Sequence, residues 1–353
     1  MIDVLVVGDS QVVRDYLVFL IENDPDLHVV GTAANGGAAL ELLATHRHAV
    51  ILMDIHMPGI HGYEATRQIM SAGPVSIVVC TGSSRFSEVS TTMDVLRAGA
   101  FAVLKAPSGL GDPGADVEAA AVIRALKLMS EIKRVRRWNG NGAVAAGAVP
   151  AVSAPTPFDS AGRDVAVVAI GASTGGPHAL LEILVGLPAS FPAPVLVVQH
   201  ITGGFTSGFA AWLNSNVRLR VQVANGGETP LPGHVYIAPD DRHLQVDPRG
   251  KLQTTQDEPH NGLRPSVGTL FASVADRFGR RSAGVLLTGM GEDGAEELKL
   301  IADQGGLTLA QDQESCAVFG MPAEAIKLDA AGFVLPPKKI AELLISSVRP
   351  GAR

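Results

Sequence analysis

Residues 165–184 read VAVVAIGASTGGPHALLEIL. The run 165–171 is short, continuously apolar and rich in valine, which predicts a strand buried on both faces. A glycine-rich turn follows, Gly171-Ala172-Ser173-Thr174-Gly175-Gly176. Apolar residues then recur at helical spacing and predict a helix over 176–187. A strand that passes through a tight turn into a helix is the repeating unit of a parallel sheet with helices on its faces.

The same grammar runs outward in both directions. Towards the C-terminus it predicts strands over 195–200, 283–288 and 307–310. Helices are expected over 205–215, 266–278, 294–304 and 323–328, with a last one from Pro337, since proline suits the first helical position. Between them, 218–223, 234–238 and 244–246 form a β-rich stretch, read as inserted hairpins. Towards the N-terminus, residues 139–163 (NGNGAVAAGAVPAVSAPTPFDSAGR) have no period, the composition of a flexible linker. Before it come five βα units, with strands over 2–7, 27–32, 49–54, 75–81 and 101–104. Their helices fall over 10–23, 37–45, 62–71, 88–98 and about 116–138. Arg124, Lys127, Lys133, Arg134, Arg136 and Arg137 make the end of the last helix basic, either a solvated face or a docking surface for an acidic partner. The predicted fold is α/β, with two doubly wound parallel-sheet domains. A five-stranded domain spans 1–130, a helix end and linker span 131–163, and a larger domain with β-hairpin insertions spans 164–349.

A chain of 353 residues with 46% apolar composition has material for two cores. Its 35 acidic and 28 basic side chains give a net charge of −7, which argues against a nucleic-acid binder with a broad basic surface. Two cysteines, Cys80 and Cys316, argue against a disulfide scaffold and suit a reducing cytoplasm. No apolar run approaches the ~18 residues that span a bilayer. Met1-Ile2-Asp3-Val4 lacks the positive start of a signal peptide. These features predict a soluble cytoplasmic protein without membrane insertion.

Open α/β sheets bind ligands beyond the carboxyl ends of their strands. Ser173 follows the strand over 165–171, His200 ends the strand over 195–200, and Asp293 lies in the loop beyond 283–288. A hydroxyl, an imidazole to take its proton and a carboxylate to hold that imidazole are the parts of a nucleophilic triad. The helix start after Ser173 turns backbone N–H groups towards it, which suits an oxyanion. Met290, between Gly289 and Gly291, is a further candidate donor. Taken singly, Ser173 and Asp293 read as helix caps and His200 as a satisfied strand-end histidine. Three such residues at one sheet edge favour the triad. Thr174 is a rival nucleophile, His178 a rival base, and Asp240 and Asp241 rival carboxylates. GASTGG also superficially suits a phosphate or dinucleotide loop, but it matches neither glycine fingerprint, and the next strand end carries His200 rather than an acid.

In the first domain Asp9 follows the first strand and Asp54 ends the third. Two carboxylates at adjacent strand ends suit Mg²⁺ with oxygen ligands, and one of them can accept a phosphoryl group. Thr81 ends the fourth strand, where its hydroxyl could bond a phosphoryl oxygen, and Lys105 follows the fifth and could pair with it. Turn and cap roles are the alternative.

Six motifs carry a family resemblance: IGASTGGP (170–177), QH followed by GGFTSGFA (199–210), LPGHVYIAP (231–239), RPSV (264–267), LLTGMGEDGA (286–295) and CAVFGMPAEAI (316–326). Over about 164–349 the chain resembles the catalytic domain of the chemotaxis response-regulator protein-glutamate methylesterases. Asp54-Ile-His-Met-Pro-Gly resembles the receiver phosphoacceptor motif, over about 1–130. The resemblance implies hydrolysis of γ-glutamyl methyl esters on chemoreceptors with release of methanol, and deamidation of some receptor glutamines. It implies Ser173 as nucleophile, His200 as base, Asp293 as orienting acid, and Met290 and Thr174 in the oxyanion region, with no cofactor for ester hydrolysis. It further implies Asp54 as phosphoacceptor for a histidine kinase, Asp9 and Asp54 as Mg²⁺ ligands, and Thr81 and Lys105 as switch residues. The receiver would restrict access to the esterase site until phosphorylated. Several positions depart from the family pattern. Ile201-Thr202 stands for Met-Pro, Leu263 for a His, and Gly268 for an Asp. In the receiver Gly8 replaces one of two adjacent acids, His61 replaces an Asp, and Ala106 separates Lys105 from Pro107.

Overall fold

The computed structural model describes residues 1–45, 50–54, 57, 62–72, 75–81, 95, 100, 102–109, 112, 114–131 and 165–348. Apart from Val95, the helix expected over 88–98 lies outside these residues, as do His61, the linker 139–163 and the basic residues from Lys133 to Arg137.

The first sheet contains β1 (Ile2–Val7), β2 (Leu27–Ala33), β3 (Val50–Asp54), β4 (Ile77–Thr81) and β5 (Ala102–Lys105). Its order is β2-β1-β3-β4-β5, with every pairing parallel. Val4, Leu5, Ile51, Leu52, Ile77 and Val78 are fully buried, as continuous apolar strands covered on both faces require. Around the sheet lie α1 (Gln11–Glu22), α2 (Gly36–Leu43), α3 (Gly62–Ala72) and α4 (Ala115–Glu131). Ser10 and Asn35 cap α1 and α2, their side chains accepting from Val13 N (3.4 Å) and Ala38 N (3.0 Å). The chain winds outward from β1 in both directions, so the crevice between β1 and β3 is where Asp9 and Asp54 emerge.

The second sheet is larger. Its strands are β6 (Val167–Ala172), β7 (Val195–Gln199), β8 (Arg220–Val223), β9 (His234–Ile237), β12 (Ser282–Leu286), β13 (Leu307–Gln311) and β14 (Phe333–Leu335). Their order is β14-β13-β12-β6-β7-β9-β8, again parallel throughout. The β-rich stretch is therefore not a set of hairpins. β9 is an inner strand paired with both β7 and β8, which is why Val235, Tyr236 and Ile237 are all buried. One true hairpin pairs β10 (His243–Val246) with β11 (Leu252–Thr255). The Asp247 carboxylate organises its turn by accepting from Arg249 N (2.9 Å) and Lys251 N (2.8 Å). β11 and β14 escape sequence reading because one is largely polar and the other only three residues long.

α5 (Gly176–Gly186), α6 (Thr206–Asn216), α7 (Val267–Phe278), α8 (Ala295–Asp303), α9 (Met321–Lys327) and α10 (Pro337–Ser347) complete this domain. Leu180, Ile183 and Leu184 of α5 are fully buried, and each such side chain contributes roughly 1.5–3 kcal/mol. That packing fixes the helix whose first turn follows Ser173. Among the described residues no helix is long and apolar enough to cross a membrane.

Candidate active site

β12, β6 and β7 lie side by side at the centre of the second sheet. Leu286 stands opposite Gly171, and Ala172 opposite Gln199. This register brings Ser173, His200 and the loop after β12 to one edge. The ladder continues for one more bond on each side, since Ser173 N donates to Thr288 O (3.0 Å) and His200 N donates to Ala172 O (2.9 Å). Gln199 is buried, and its Nε2 donates to Ser173 O (2.8 Å) and His200 O (2.9 Å), tying the two strand ends together. The Thr288 hydroxyl bonds Thr174 O (2.9 Å) and accepts from Val318 N (2.9 Å).

Two glycines are dictated by this packing. A Cβ at Gly289 would lie 2.3 Å from Met321 Sδ and 2.7 Å from Ser173 Cβ, inside van der Waals contact. Gly175 has φ +79°, the left-handed region, and begins α5 without a side-chain cap. The helix start is thus left open, and among the described residues the N–H groups of Thr174, Gly175 and Met290 donate to no acceptor. Ser173 is half-buried, and its hydroxyl has no hydrogen-bond partner among the described residues. It does not act as the cap.

His200 Nε2 approaches Asp293 Oδ2 to 2.9 Å, with 15% and 3% of the two side chains exposed. The ring N–H is not aimed along that line; catalytic contacts of this kind align when substrate binds. Asp293 does cap a helix, but the neighbouring one. Its carboxylate accepts from Val267 N (2.7 Å), Gly268 N (3.0 Å) and Ser266 Oγ (2.7 Å), all at the start of α7. Burial, the largest single influence, pushes this carboxyl up. His200 and the donors from Gly268 and Ser266 together outweigh it and hold the group below the usual carboxylate range.

The rival residues are engaged elsewhere. Asp240 accepts from Thr206 Oγ1 (2.5 Å), Asp241 pairs with Arg264 (2.8 Å), and His178 is exposed on α5. Thr174 lines the same cleft as Ser173. That cleft, of about 260 Å³, is bounded by Ser173, Thr174, Gln199 and His200, and closed on one side by Val103 and Leu104 of the first domain. Thr202 Oγ1 donates to Val103 O at 3.4 Å. Met290 lines a separate depression with Leu128 and Val318. Sequence reading gave no role to Gln199, Thr288 or Ser266. Buried polar side chains acting through backbone atoms leave no spacing signature.

In the first domain Asp54 ends β3 half-buried. A Cβ at Gly8 would lie 3.5 Å from Asp54 Cβ, so position 8 faces Asp54 and here offers no carboxylate. Arg14 Nη1 donates to Gly8 O (2.5 Å) and Asp9 O (2.8 Å). Lys105 ends β5, but its Nζ donates to Glu118 Oε1 (2.6 Å), a partner that sequence reading did not foresee. Glu118 also accepts from Ser108 Oγ and N, and Lys105 and Ser108 together hold its carboxyl at about 2. Thr81 ends β4 as expected; its side chain lies outside the described atoms. Among the described residues no three His, Cys, Asp or Glu side chains gather as a metal site. With Gly8 in place of an acid, Asp9 and Asp54 are the two carboxylates that would hold Mg²⁺ there, a donor set that such an ion completes with waters and phosphate oxygens. The Cys80 and Cys316 thiols are buried and pushed up to about 12, chiefly by that burial.

Comparison with known proteins follows the same division. The CheB methylesterase family model matches residues 168–344, and the response regulator receiver domain model matches residues 4–112. A protein-glutamate methylesterase/protein-glutamine glutaminase of Nitrosospira multiformis is 49% identical over 349 residues, covering 99% of this chain and 97% of that protein. One of Syntrophus aciditrophicus is 45% identical over 345 residues, covering 98% of each. The crystal structure of the Thermotoga maritima CheB methylesterase catalytic domain is 42% identical, with a TM-score of 0.51, and covers 52% of this chain and 99% of that one. With both family models matched and relatives 45% and 49% identical over nearly the whole of this chain and of theirs, the chain belongs to the protein-glutamate methylesterase/protein-glutamine glutaminase family.

Proposed function

We propose that this chain hydrolyses the γ-methyl esters of glutamate residues on chemoreceptors and deamidates receptor glutamines, in the cytoplasm, through Ser173, His200 and Asp293. The observation that carries the reading is the approach of buried Asp293 to His200, 2.9 Å, in the cleft that Ser173 lines.

Ser173 Oγ attacks the γ-carbonyl carbon while His200 takes its proton. Nε2 faces Asp293, so Nδ1 is the ring nitrogen that accepts. The carbonyl oxygen becomes an oxyanion that the free N–H groups of Thr174, Gly175 and Met290 can receive. Collapse breaks the carbon–methoxy bond, and His200 returns the proton so that methanol leaves. Water then attacks the acyl-enzyme with His200 again as base, and glutamate is released from Ser173. With a glutamine substrate the same steps expel ammonia. Asp293 stays ionised throughout, orients the imidazole and stabilises its charged form.

The receiver regulates this site. Val103, Leu104 and the Thr202–Val103 bond support a lid that covers the cleft. Receiver domains imply Mg²⁺-dependent phosphorylation in general, with a kinase as donor. Asp54 holds the acceptor position here, and a histidine kinase would supply the phosphoryl group. Gly8, Arg14 and the Lys105–Glu118 pair support a weak or short-lived response. The division into 1–130, 131–163 and 164–349 is supported by two separate sheets. The test is methanol release from methylated receptors of the same cell. Ser173→Ala should lower kcat by ~10³-fold or more, and activity within tenfold of wild type would move the nucleophile elsewhere.

A further inference from the structure

The Asp293 carboxylate is held by more than its own loop. Ser266 is fully buried and caps α7, its Oγ accepting from Thr269 N at 3.3 Å. With a lone pair turned to that amide, the hydroxyl gives its proton to Asp293 Oδ1 at 2.7 Å. The Ser266 backbone is held from the opposite side, where its N–H donates to His243 Nδ1 at 3.2 Å. His243, on β10, is 1% exposed, and its Nε2 lies 3.2 Å from Glu258 O. A ring nitrogen facing a carbonyl must carry the proton, and one receiving an amide N–H must not. His243 is therefore the neutral Nε2–H tautomer, and each atom of the chain has one assigned direction. Hydrogen bonds join Glu258 O, His243, Ser266 and Asp293 into one strut through β10, and its end, Asp293 Oδ2, lies 2.9 Å from His200 Nε2 at the sheet edge.

We infer that Ser266 and His243 are positioning residues of the esterase, fixing the Asp293 carboxylate in the orientation that faces His200. The inference rests on the triad reading above. The two backbone donors come from one helix start, Val267 N on Oδ2 and Gly268 N on Oδ1, and a third donor shares Oδ1 at 2.7 Å, which leaves Oδ2 as the oxygen turned to His200. Ser266 supplies that donor, and His243 fixes where Ser266 stands. The hairpin thereby gains a purpose that its distance from Ser173 in sequence conceals.

The test measures kcat and KM for methanol release in the full-length protein, with melting temperature to correct for the folded fraction. Ser266→Ala should lower kcat about 10- to 100-fold, the effect of one buried bond to a charged group, and leave KM within about twofold. Ser266→Thr, which keeps the hydroxyl, should recover most of the loss. At His243 the side-chain amides separate the two nitrogens. His243→Asn places an oxygen near the Nδ1 position and should retain most of kcat. His243→Gln places its amide near the Nε2 position and should behave like His243→Ala. A Ser266→Ala variant whose folded fraction turns over at the wild-type rate overturns the inference, as does equal loss in the Asn and Gln variants. Ser173→Ala and Asp293→Asn are measured alongside. If both keep turnover, the triad reading has failed. If both lose it while Ser266→Ala does not, only the strut has failed.

Discussion

Gly289→Ala is the sharpest probe of how the second sheet's edge is packed. The new methyl would meet Met321 Sδ at 2.3 Å and Ser173 Cβ at 2.7 Å. The two contacts differ in what they allow. Met321 Sδ lies near the end of a flexible side chain that can change rotamer. Ser173 cannot step aside freely, because its N–H is bonded to Thr288 O and its carbonyl accepts from Gln199 Nε2. Relieving the second contact to the ordinary 3.5–4.0 Å carbon separation displaces the Ser173 backbone by about 1 Å. A displacement of that size at a nucleophile costs on the order of 100-fold in rate. The packing strain alone costs about 1–3 kcal/mol, which at roughly 2–4 °C per kcal/mol lowers the melting temperature by ~2–12 °C. The assay pairs methanol-release kinetics with a thermal melt on the same sample. Activity should fall far more than stability implies. A variant with kcat within threefold of wild type and an unchanged melt would show that position 289 has room, and that Ser173 is not held as described.

Other outcomes follow from the same geometry. Deleting residues 1–138 should raise esterase activity, since Val103 and Leu104 no longer bound the cleft; a fragment no faster than the full chain refutes the lid. Asp293 sits below its ordinary carboxyl value, so its contribution to stability is present above about pH 4 and is lost as pH falls through its folded-state value. Melts of wild type and Asp293→Asn between pH 2 and 7 should show a steeper acid loss in the wild type. Lys105→Ala should bring the Glu118 carboxyl up from about 2 towards the ordinary range, read by carboxyl NMR titration. Neither Cys80 nor Cys316, both held up at about 12, should react with a thiol reagent at pH 8 until the protein is unfolded.

The parallel sheets and the triad candidates were legible because both leave a one-dimensional mark. Buried strands write continuous apolar runs, and reactive side chains in such folds stand at strand ends. Ser173, His200 and Asp293 could each be placed that way. The hairpin strand Leu252–Thr255 left no such mark, since only its first residue is buried. The parallel pairing of β8 with β9 could not be told from a hairpin, because strand direction is set by partners remote in sequence. Gln199, Ser266 and His243 were illegible for a related reason. A buried amide, hydroxyl or imidazole acts through whichever backbone atom the fold brings to it. Lys105 shows the converse, since its position was read correctly while Glu118, thirteen residues on, supplied the partner.

The pairing of β6 with β12 has a consequence for biosynthesis. Val168 is bonded beside Ala283, so the sheet centre closes only when two distant parts of the chain meet. Contacts of such long sequence separation form slowly, after local structure. A ribosome delivers the N-terminal domain first, and domains generally fold as units as they emerge. The receiver sheet, complete by residue 105, has all its strands before β6 is made. A nascent chain that has reached Ser173 and His200 has β7 beside β6 but still lacks the Asp293 carboxylate and the β12 strand on the other side. The regulatory domain is thus in place before the activity it governs comes into being, and no truncated product ending short of β12 can act as an unrestrained esterase.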